Sequence, residues 1–178
     1  DLIHLYIAGD EGGLVELIRR YQSKIYTSIY LLVKDEYLAE DIFQDTFIKV
    51  INTLKAGKYN EEGKFLPWVT RIAHNLVIDH FRREKRAPMV SNGDDFDIFE
   101  VLGHYDESTE DKMVREQTYR DLKTLIHLLP AEQKEVLIMR HFGDMSFKEI
   151  ADITDVSINT ALGRMRYAFN NLRKMIQS

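Results

Sequence analysis

Residues 145–174, near the C-terminus, constrain the fold most, because they predict two helices joined by a tight turn. Ser146 and Glu149 have the spacing of a capping box, in which the hydroxyl and the carboxylate each accept a hydrogen bond from a backbone N–H. A helix is therefore predicted from Phe147. Ser157 is the N-cap of a second helix. The apolar face of that second helix consists of Ala161, Met165, Ala168 and Leu172.

The second of these helices has a cationic outer side. From residue 156 onward the chain has four basic residues, Arg164, Arg166, Arg173 and Lys174, and no acidic residue. A short capped helix, a three-residue turn and a longer cationic helix are the layout of a helix-turn-helix, whose second helix enters the major groove of DNA. A helical hairpin with a solvated polar face fits the same pattern. The segment alone leaves both interpretations open.

Composition limits the class of protein. The 178 residues, 44% of them hydrophobic, are enough for one or two globular domains. The absence of cysteine excludes disulfides and thiolate metal sites. No run reaches the roughly 18 apolar residues of a membrane span, and the N-terminus lacks the pattern of a signal peptide. We therefore expect a soluble cytoplasmic protein.

The net charge of −5 is distributed unevenly. Residues 1–88 contain 13 basic and 13 acidic residues, residues 89–114 contain one and eight, and residues 115–178 contain ten and eight. The excess acidity lies in 89–114, where Gly, Asn and Ser also cluster. This composition predicts a flexible acidic linker. The predicted fold class is all-α, with two small helical domains on either side of the linker.

A predicted helix over residues 36–55 has two distinct faces. Its core face consists of Ala39, Phe43, Phe47, Val50 and Leu54. Its opposite face consists of Asp41, Gln44, Asp45, Ile48 and Asn52. Isolated apolar residues on a surface are common. The opposite face is therefore compatible with an ordinary solvated surface as well as with a partner surface.

The next helix begins near Phe65, with Pro67 in its first turn, and has a polar stripe. At 100° per residue, the side chains of the stripe lie within about 40° of one direction. They are Asn75, Asp79, Arg82 and Arg86, with Arg83 and Lys85 beside them. Cations in the last turns also suit the helix dipole, which is an alternative explanation of the charges.

The sequence predicts neither a metal site nor a catalytic site. His74 and His80 lie about 120° apart around their helix, so they do not form a metal site with Asp79. After the linker, a helix with apolar positions Tyr119, Leu122, Leu125, Ile126 and Leu129 is ended by Pro130, and a helix over 131–141 follows. No nucleophile elbow, phosphate loop or carboxylate dyad occurs in the sequence. We expect no catalytic residue, metal, cofactor or small-molecule substrate, and therefore not an enzyme.

Four segments together resemble the extracytoplasmic-function sigma factors of bacteria. They are AEDIFQDTF at 39–47, FLPWVTRIAHNLVIDHFRREKR at 65–86, LPAEQKEVLIMRHFGDMSFKEIADI at 129–153 and SINTALGRMRYAFNNLRK at 157–174. The resemblance implies an exchangeable initiation subunit of bacterial RNA polymerase. Residues 1–88 would be a region 2-like domain that melts the minus-ten element, and residues 115–178 a region 4-like domain that recognises the minus-thirty-five element.

The resemblance also implies partners and residue roles. The residues facing the clamp helices of the largest polymerase subunit would be Asp41, Gln44, Asp45 and Ile48. The residues at the minus-ten element, with loop 55–64 beside a flipped base, would be Asn75, Asp79, Arg82, Arg83 and Arg86. The residues at the minus-thirty-five duplex would be Asn159, Thr160, Gly163, Arg164, Arg166 and Tyr167. Further implied partners are the polymerase flap and a dedicated, often membrane-anchored, anti-sigma factor.

Leu162 departs from the family pattern, which often has a basic residue at this position. It lies about 100° from Ala161, on the side of Phe169, so we expect it to pack rather than to contact phosphate. Two rival classes are a stand-alone helix-turn-helix regulator and a non-DNA adaptor or anti-sigma-binding decoy. The regulator would bind duplex DNA without polymerase, and run-off transcription with core polymerase would exclude the adaptor.

Overall fold

The computed structural model describes residues 2–60, 64–85 and 109–178, which form α-helices and no β-strand. The predicted all-α class is confirmed. Arg86 and residues 89–108 of the predicted linker lie outside the described residues. The helices are α1 (Leu2–Ile7), α2 (Glu11–Val33), α3 (Glu36–Lys55), α4 (Phe65–Glu84), α5 (Thr109–His127), α6 (Ala131–His141), α7 (Phe147–Thr154) and α8 (Ile158–Gln177).

The described residues form two compact units, and each is described by itself. One contains α1 to α4 together with Met139–Met145, and the other contains the remaining C-terminal helical residues. The domain boundaries predicted at residues 88 and 115 stay a prediction. Helix α5 begins at Thr109, inside the predicted linker. Residues 109–114 of the predicted linker are therefore helical.

Helices α2 and α3 begin at side-chain caps. The Asp10 carboxylate accepts a hydrogen bond from the Gly12 N–H at 2.9 Å, and Gly12 and Gly13 therefore lie inside α2. A Cβ at position 13 would collide with the Leu2 carbonyl oxygen, so the close approach of α1 and α2 requires glycine there. The Asp35 carboxylate accepts from the Leu38 N–H at 3.1 Å, which confirms the predicted start of α3.

The core of the first unit lies around α2, which packs against α1, α3 and α4. Ile25, Ile29, Val50 and Val69 are almost completely buried. Burial of an aliphatic side chain of this size contributes about 1.5 to 3 kcal/mol relative to exposure. This packing fixes the backs of α3 and α4 and leaves their opposite faces on the surface.

The helix-turn-helix predicted in the second unit is confirmed. The Ser146 N–H donates to the Glu149 carboxylate at 2.7 Å, and the Glu149 N–H donates to the Ser146 hydroxyl at 3.1 Å. Asp155, whose φ is 55°, is the C-cap of α7, and Ser157 caps α8 by accepting a hydrogen bond from the Thr160 N–H. The predicted apolar face of α8 is buried, and it consists of Ala161, Met165, Ala168 and Leu172.

Candidate functional site

Helix α3 presents the predicted partner-binding residues on its exposed side. Asp41, Gln44, Asp45 and Ile48 are all exposed, and Ile48 keeps 55% of its surface accessible. The opposite side is buried, as predicted, at Ala39, Phe47, Val50 and Leu54. Phe43, predicted for the core, is only half-buried and packs at the edge of the core, with its ring centroid 4.9 Å from that of Phe47.

Analysis of the sequence missed Tyr37, which lies on the same face one turn before Asp41. Its side chain is 84% exposed, more than any other large hydrophobic residue in the part of the chain that the structure describes. Positions 37, 41, 44 and 48 follow the i, i+4, i+7, i+11 spacing of one helix face. The spacing was therefore a signal by which Tyr37 could have been found.

This face lies in an acidic part of the surface. Between Lys34 and Lys49 the sequence has no Lys or Arg, but it has five carboxylates, at Asp35, Glu36, Glu40, Asp41 and Asp45. Burial, followed by the charges of Glu36 and Glu40, raises the pKa of Tyr26 on α2 to about 12. The charge on this side of α3 fits a basic partner better than a nucleic acid.

Helix α4 presents its predicted polar stripe to solvent. Asn75, Asp79, Arg82 and Arg83 are all exposed, whereas Arg86 lies outside the described residues. The Asp79 carboxylate lies 3.9 Å from the Arg82 guanidinium. Because both side chains are at least half-exposed, this ion pair contributes little to stability. The Arg82 guanidinium can therefore replace its contact with Asp79 by a contact with a phosphate at a small cost in free energy.

Trp68 packs against the loop that precedes α4. The Tyr59 ring lies 4.4 Å from the Trp68 ring, centroid to centroid, and Phe65 lies 5.6 Å from Tyr21 of α2. Aromatic pairs at these distances add to the stability gained from burial. Burial raises the pKa of Tyr59. The loop 55–64, which the resemblance places beside a flipped base, therefore packs against α4 at Tyr59. Residues 61–63 of this loop lie outside the described residues.

The two histidines of α4 have different surroundings. His74 is buried, and His80 Nε2 lies 3.0 Å from the Glu84 carboxylate. Over residues 2–60, 64–85 and 109–178, no group of three metal-ligating side chains comes together. In the same part of the chain, no helix has both the length and the hydropathy of a membrane span.

Helix α8 has a polar outer side along most of its length. Asn159, Thr160, Arg166 and Tyr167 are exposed, and Gly163 is partly exposed in open space, where a Cβ would meet no atom. The Thr160 hydroxyl lies 2.9 Å from the Ser157 hydroxyl, so it also supports the N-cap. Asn170 and Lys174, which were not predicted as contacts, are exposed within about 60° of Gly163 and Tyr167.

Two predictions about α8 need correction. Arg164 was expected on the open outward face, but its side chain is only 22% exposed, and its guanidinium lies 3.8 Å from the Glu132 carboxylate of α6. Nearby, the Asn171 amide donates to the Gln133 side chain at 2.8 Å, so this side of α8 packs along the start of α6. Leu162 was expected to pack beside Phe169. It is 41% exposed, and Phe169 is itself 52% exposed, so this side of α8 is not buried in a core.

Two family models match the chain, one in each half. The model of sigma-70 region 2 matches residues 17–87, which include the exposed faces of α3 and α4. The model of sigma-70 region 4 matches residues 119–164, from α5 to Arg164 of α8. The two matches together cover most of the 178 residues.

Characterised relatives extend these matches over almost the whole chain. The ECF RNA polymerase sigma factor SigW of Bacillus subtilis is 25% identical over 173 residues, which are 95% of this chain and 91% of SigW. The chain belongs to the family of extracytoplasmic-function RNA polymerase sigma factors. The RNA polymerase sigma-H factor of Pseudomonas aeruginosa is 29% identical to this sigma factor over 174 residues, which are 95% and 89% of the two chains.

Solved structures show the same fold as this sigma factor. CnrH, in complex with the cytosolic domain of CnrY, has a TM-score of 0.62 at 18% identity and covers 99% of this chain and 95% of its own. The sigma factor RpoE of Bartonella quintana, in complex with the anti-sigma factor NepR, has a TM-score of 0.67 at 19% identity, with coverages of 92% and 96%.

Family membership defines the general activity. The sigma factor binds core RNA polymerase and promoter DNA, directs the polymerase to promoters and initiates transcription there. Sigma factors are regulatory proteins rather than catalytic ones.

Proposed function

We propose that the exposed face of α3 is the surface by which this sigma factor binds core polymerase, through Asp41, Gln44, Asp45 and Ile48. The observation that carries this proposal is their common exposure on a helix whose back is fixed in the core. Asp41 and Asp45 meet basic groups of the clamp helices, and Ile48 adds an apolar contact. Their role is to attach the first unit to the largest polymerase subunit.

The second part of the proposal assigns the stripe on α4 to the minus-ten element. Extruding a base from a duplex costs a few kcal/mol, which polar groups on the base edge and cations on the adjacent phosphates offset. Asn75 and Asp79 provide polar groups, and Arg82 and Arg83 provide the cations. Support comes from the exposure of all four side chains and from the weakness of the Asp79–Arg82 ion pair. Arg86 extends the same stripe in sequence.

The third part assigns the outer side of α8 to the minus-thirty-five duplex. The first residues of a recognition helix contact base edges, and later residues contact phosphates. Asn159, Thr160 and Gly163 lie in the first turns, and Arg164, Arg166 and Tyr167 follow. Exposed Asn170 and Lys174 add two groups on the same side.

The proposal includes control by a protein inhibitor. Support comes from RpoE, whose structure contains the anti-sigma factor NepR. An inhibitor of this kind would cover the α3 face or the outer side of α8. The sigma factor acts in the cytoplasm, where the polymerase works, and it has no catalytic activity of its own.

Charge reversal on α3 tests the polymerase assignment. Asp45→Lys places a cation opposite the basic partner surface, so we expect at least about tenfold weaker association with core polymerase, because like charges across an interface cost several kcal/mol. Asp152→Lys makes the same charge change on α7 and serves as the control, with association close to wild type. The dissociation constant is measured by competition with a fluorescent sigma factor in the absence of DNA.

Circular dichroism establishes that both variants keep the wild-type helix content. If Asp45→Lys binds core polymerase as tightly as wild type, the α3 face does not contact the polymerase and the assignment is wrong. If Asp152→Lys weakens binding as strongly as Asp45→Lys, the effect comes from net charge rather than from the face.

A further inference from the structure

Tyr37 is unusual among the aromatic residues of the first unit. The rings of Tyr21, Tyr26, Phe43, Phe47 and Trp68 all lie within 6 Å of another aromatic ring, centroid to centroid. Tyr37 is 84% exposed instead. Leaving an aromatic ring in water forgoes a large area of apolar burial, which is about 150 to 250 Å² per ring. At 84% exposure, the side chain of Tyr37 adds little burial to the fold.

The position of Tyr37 relates it to the surface proposed for polymerase. Tyr37, Asp41, Gln44 and Ile48 fall within about 40° of one direction on α3 and extend over roughly 16 Å of helix. The face therefore has an apolar residue at each end, Tyr37 and Ile48, with acidic and amide groups between them. Aromatic residues are enriched and acidic residues are depleted at the core of protein interfaces, so Tyr37 and Ile48, rather than the carboxylates between them, are the residues that favour an interface here.

We infer that Tyr37 anchors the polymerase interface by inserting its ring into an apolar pocket of the same basic partner surface that Asp41 and Asp45 contact. This inference rests on the proposed function of the α3 face. The surrounding carboxylates repel nucleic acid, which excludes base stacking as the use of the ring. Tyrosine is enriched among the residues that contribute most to protein association, because it buries much area and loses few rotamers.

The expected contribution of Tyr37 differs in kind from that of Asp45. An apolar anchor depends weakly on ionic strength, whereas the exposed carboxylate of Asp45 is screened by salt beyond about 8 Å at physiological ionic strength. Removal of the ring should therefore weaken association equally at low and high salt. Charge reversal at position 45 should weaken association more at low salt than at high salt.

Three full-length variants test this inference against core polymerase without DNA. Tyr37→Ala removes the ring from a solvent-exposed site, so the fold is kept. We expect this variant to bind core polymerase at least about tenfold more weakly than wild type at both salt concentrations. Tyr37→Phe keeps the ring and should bind within about threefold of wild type, because loss of one hydroxyl hydrogen bond costs little where water can replace it. Val15→Ala, which shortens another exposed apolar side chain of the same unit, should bind as wild type does.

The outcomes separate this inference from the proposed function. Wild-type binding by Tyr37→Ala together with weak binding by Asp45→Lys overturns the role of Tyr37 and leaves the α3 face as the polymerase surface. Wild-type binding by both variants overturns the α3 assignment, and the role of Tyr37 with it. Loss of binding by Tyr37→Ala that disappears at high salt also contradicts the inference, since the ring would then act only through the neighbouring charges.

Discussion

At the scale of single residues, the ion pair between Arg164 and Glu132 changes the account of the recognition helix. The guanidinium lies 3.8 Å from the carboxylate, which is too long for a hydrogen bond, and Glu132 is 73% exposed. Such a pair is weak and can exchange for a phosphate or a base edge. Arg164 therefore lies near Glu132, and the proposed contact of Arg164 with DNA would replace this pair.

Arg164→Ala should lower initiation at cognate promoters, because an arginine contact to a guanine edge is worth roughly 1 to 3 kcal/mol of discrimination. A base contact would relax the preference at one position of the minus-thirty-five element. Loss of a phosphate contact would instead weaken binding to all promoter sequences alike. It would also reduce the slope of log K against log salt concentration by about 1. Holoenzyme binding to a library of promoter variants measures which of these occurs. Initiation at the wild-type level would show that Arg164 does not contact DNA.

Glu132→Gln should strengthen promoter binding by holoenzyme, because it removes the carboxylate that competes with DNA for Arg164. We expect a gain of a few-fold, in line with the small value of exposed ion pairs. A double-mutant cycle with Arg164→Ala measures the coupling, since the gain should vanish when Arg164 is absent. If the gain is the same in both backgrounds, Glu132 acts on DNA directly and not through Arg164.

The sequence predicted the exposure of single residues where helix period alone decides it. Asp41, Asp45 and Ile48 are exposed because they lie opposite a run of core residues, and that relation is local. The partial burial of Arg164 was not predictable in this way. It depends on how α8 packs along α6, and Glu132 is 32 positions away in the chain, so no local pattern reports the contact.

At the scale of the secondary structure, side-chain caps made three of the helix starts predictable. The starts of α3, α7 and α8 follow from Asp35, Ser146 and Ser157, each of which accepts a backbone hydrogen bond in the structure. The start of α5 was missed because acidic residues serve equally in a solvated linker and in the first turn of a helix. Composition alone does not distinguish these two uses.

Ser146→Ala should destabilise α7 by about 1 kcal/mol, because it removes one of the two reciprocal bonds of the capping box and leaves the Glu149 N–H without its acceptor. Native-state hydrogen exchange measures the free energy of opening at the Ile150 and Ala151 amides. Amides in the centre of α3 serve as the internal control and should keep their protection. Unchanged protection across α7 would mean that tertiary packing, and not the cap, determines where this helix begins.

At the scale of the whole molecule, charge is divided between surfaces of different use. The face of α3 that includes Tyr37, Asp41 and Asp45 lies in a segment without basic residues, whereas Arg82, Arg83, Arg166 and Lys174 lie on the surfaces assigned to DNA. Acidic surfaces repel nucleic acid and cationic ones attract it. On the proposed assignments, the groups that bind polymerase and the groups that bind DNA therefore lie on separate helices, as a subunit that joins polymerase to a promoter requires.

The most direct test is transcription reconstituted from core polymerase and this chain, with start sites mapped across genomic DNA. We predict discrete starts that share two upstream sequence elements and that are absent with core polymerase alone, together with no specific binding to those promoters by the chain alone. Starts identical to those of core polymerase alone would contradict the central claim. So would tight, specific binding of the free chain to duplex DNA, which would identify a stand-alone regulator.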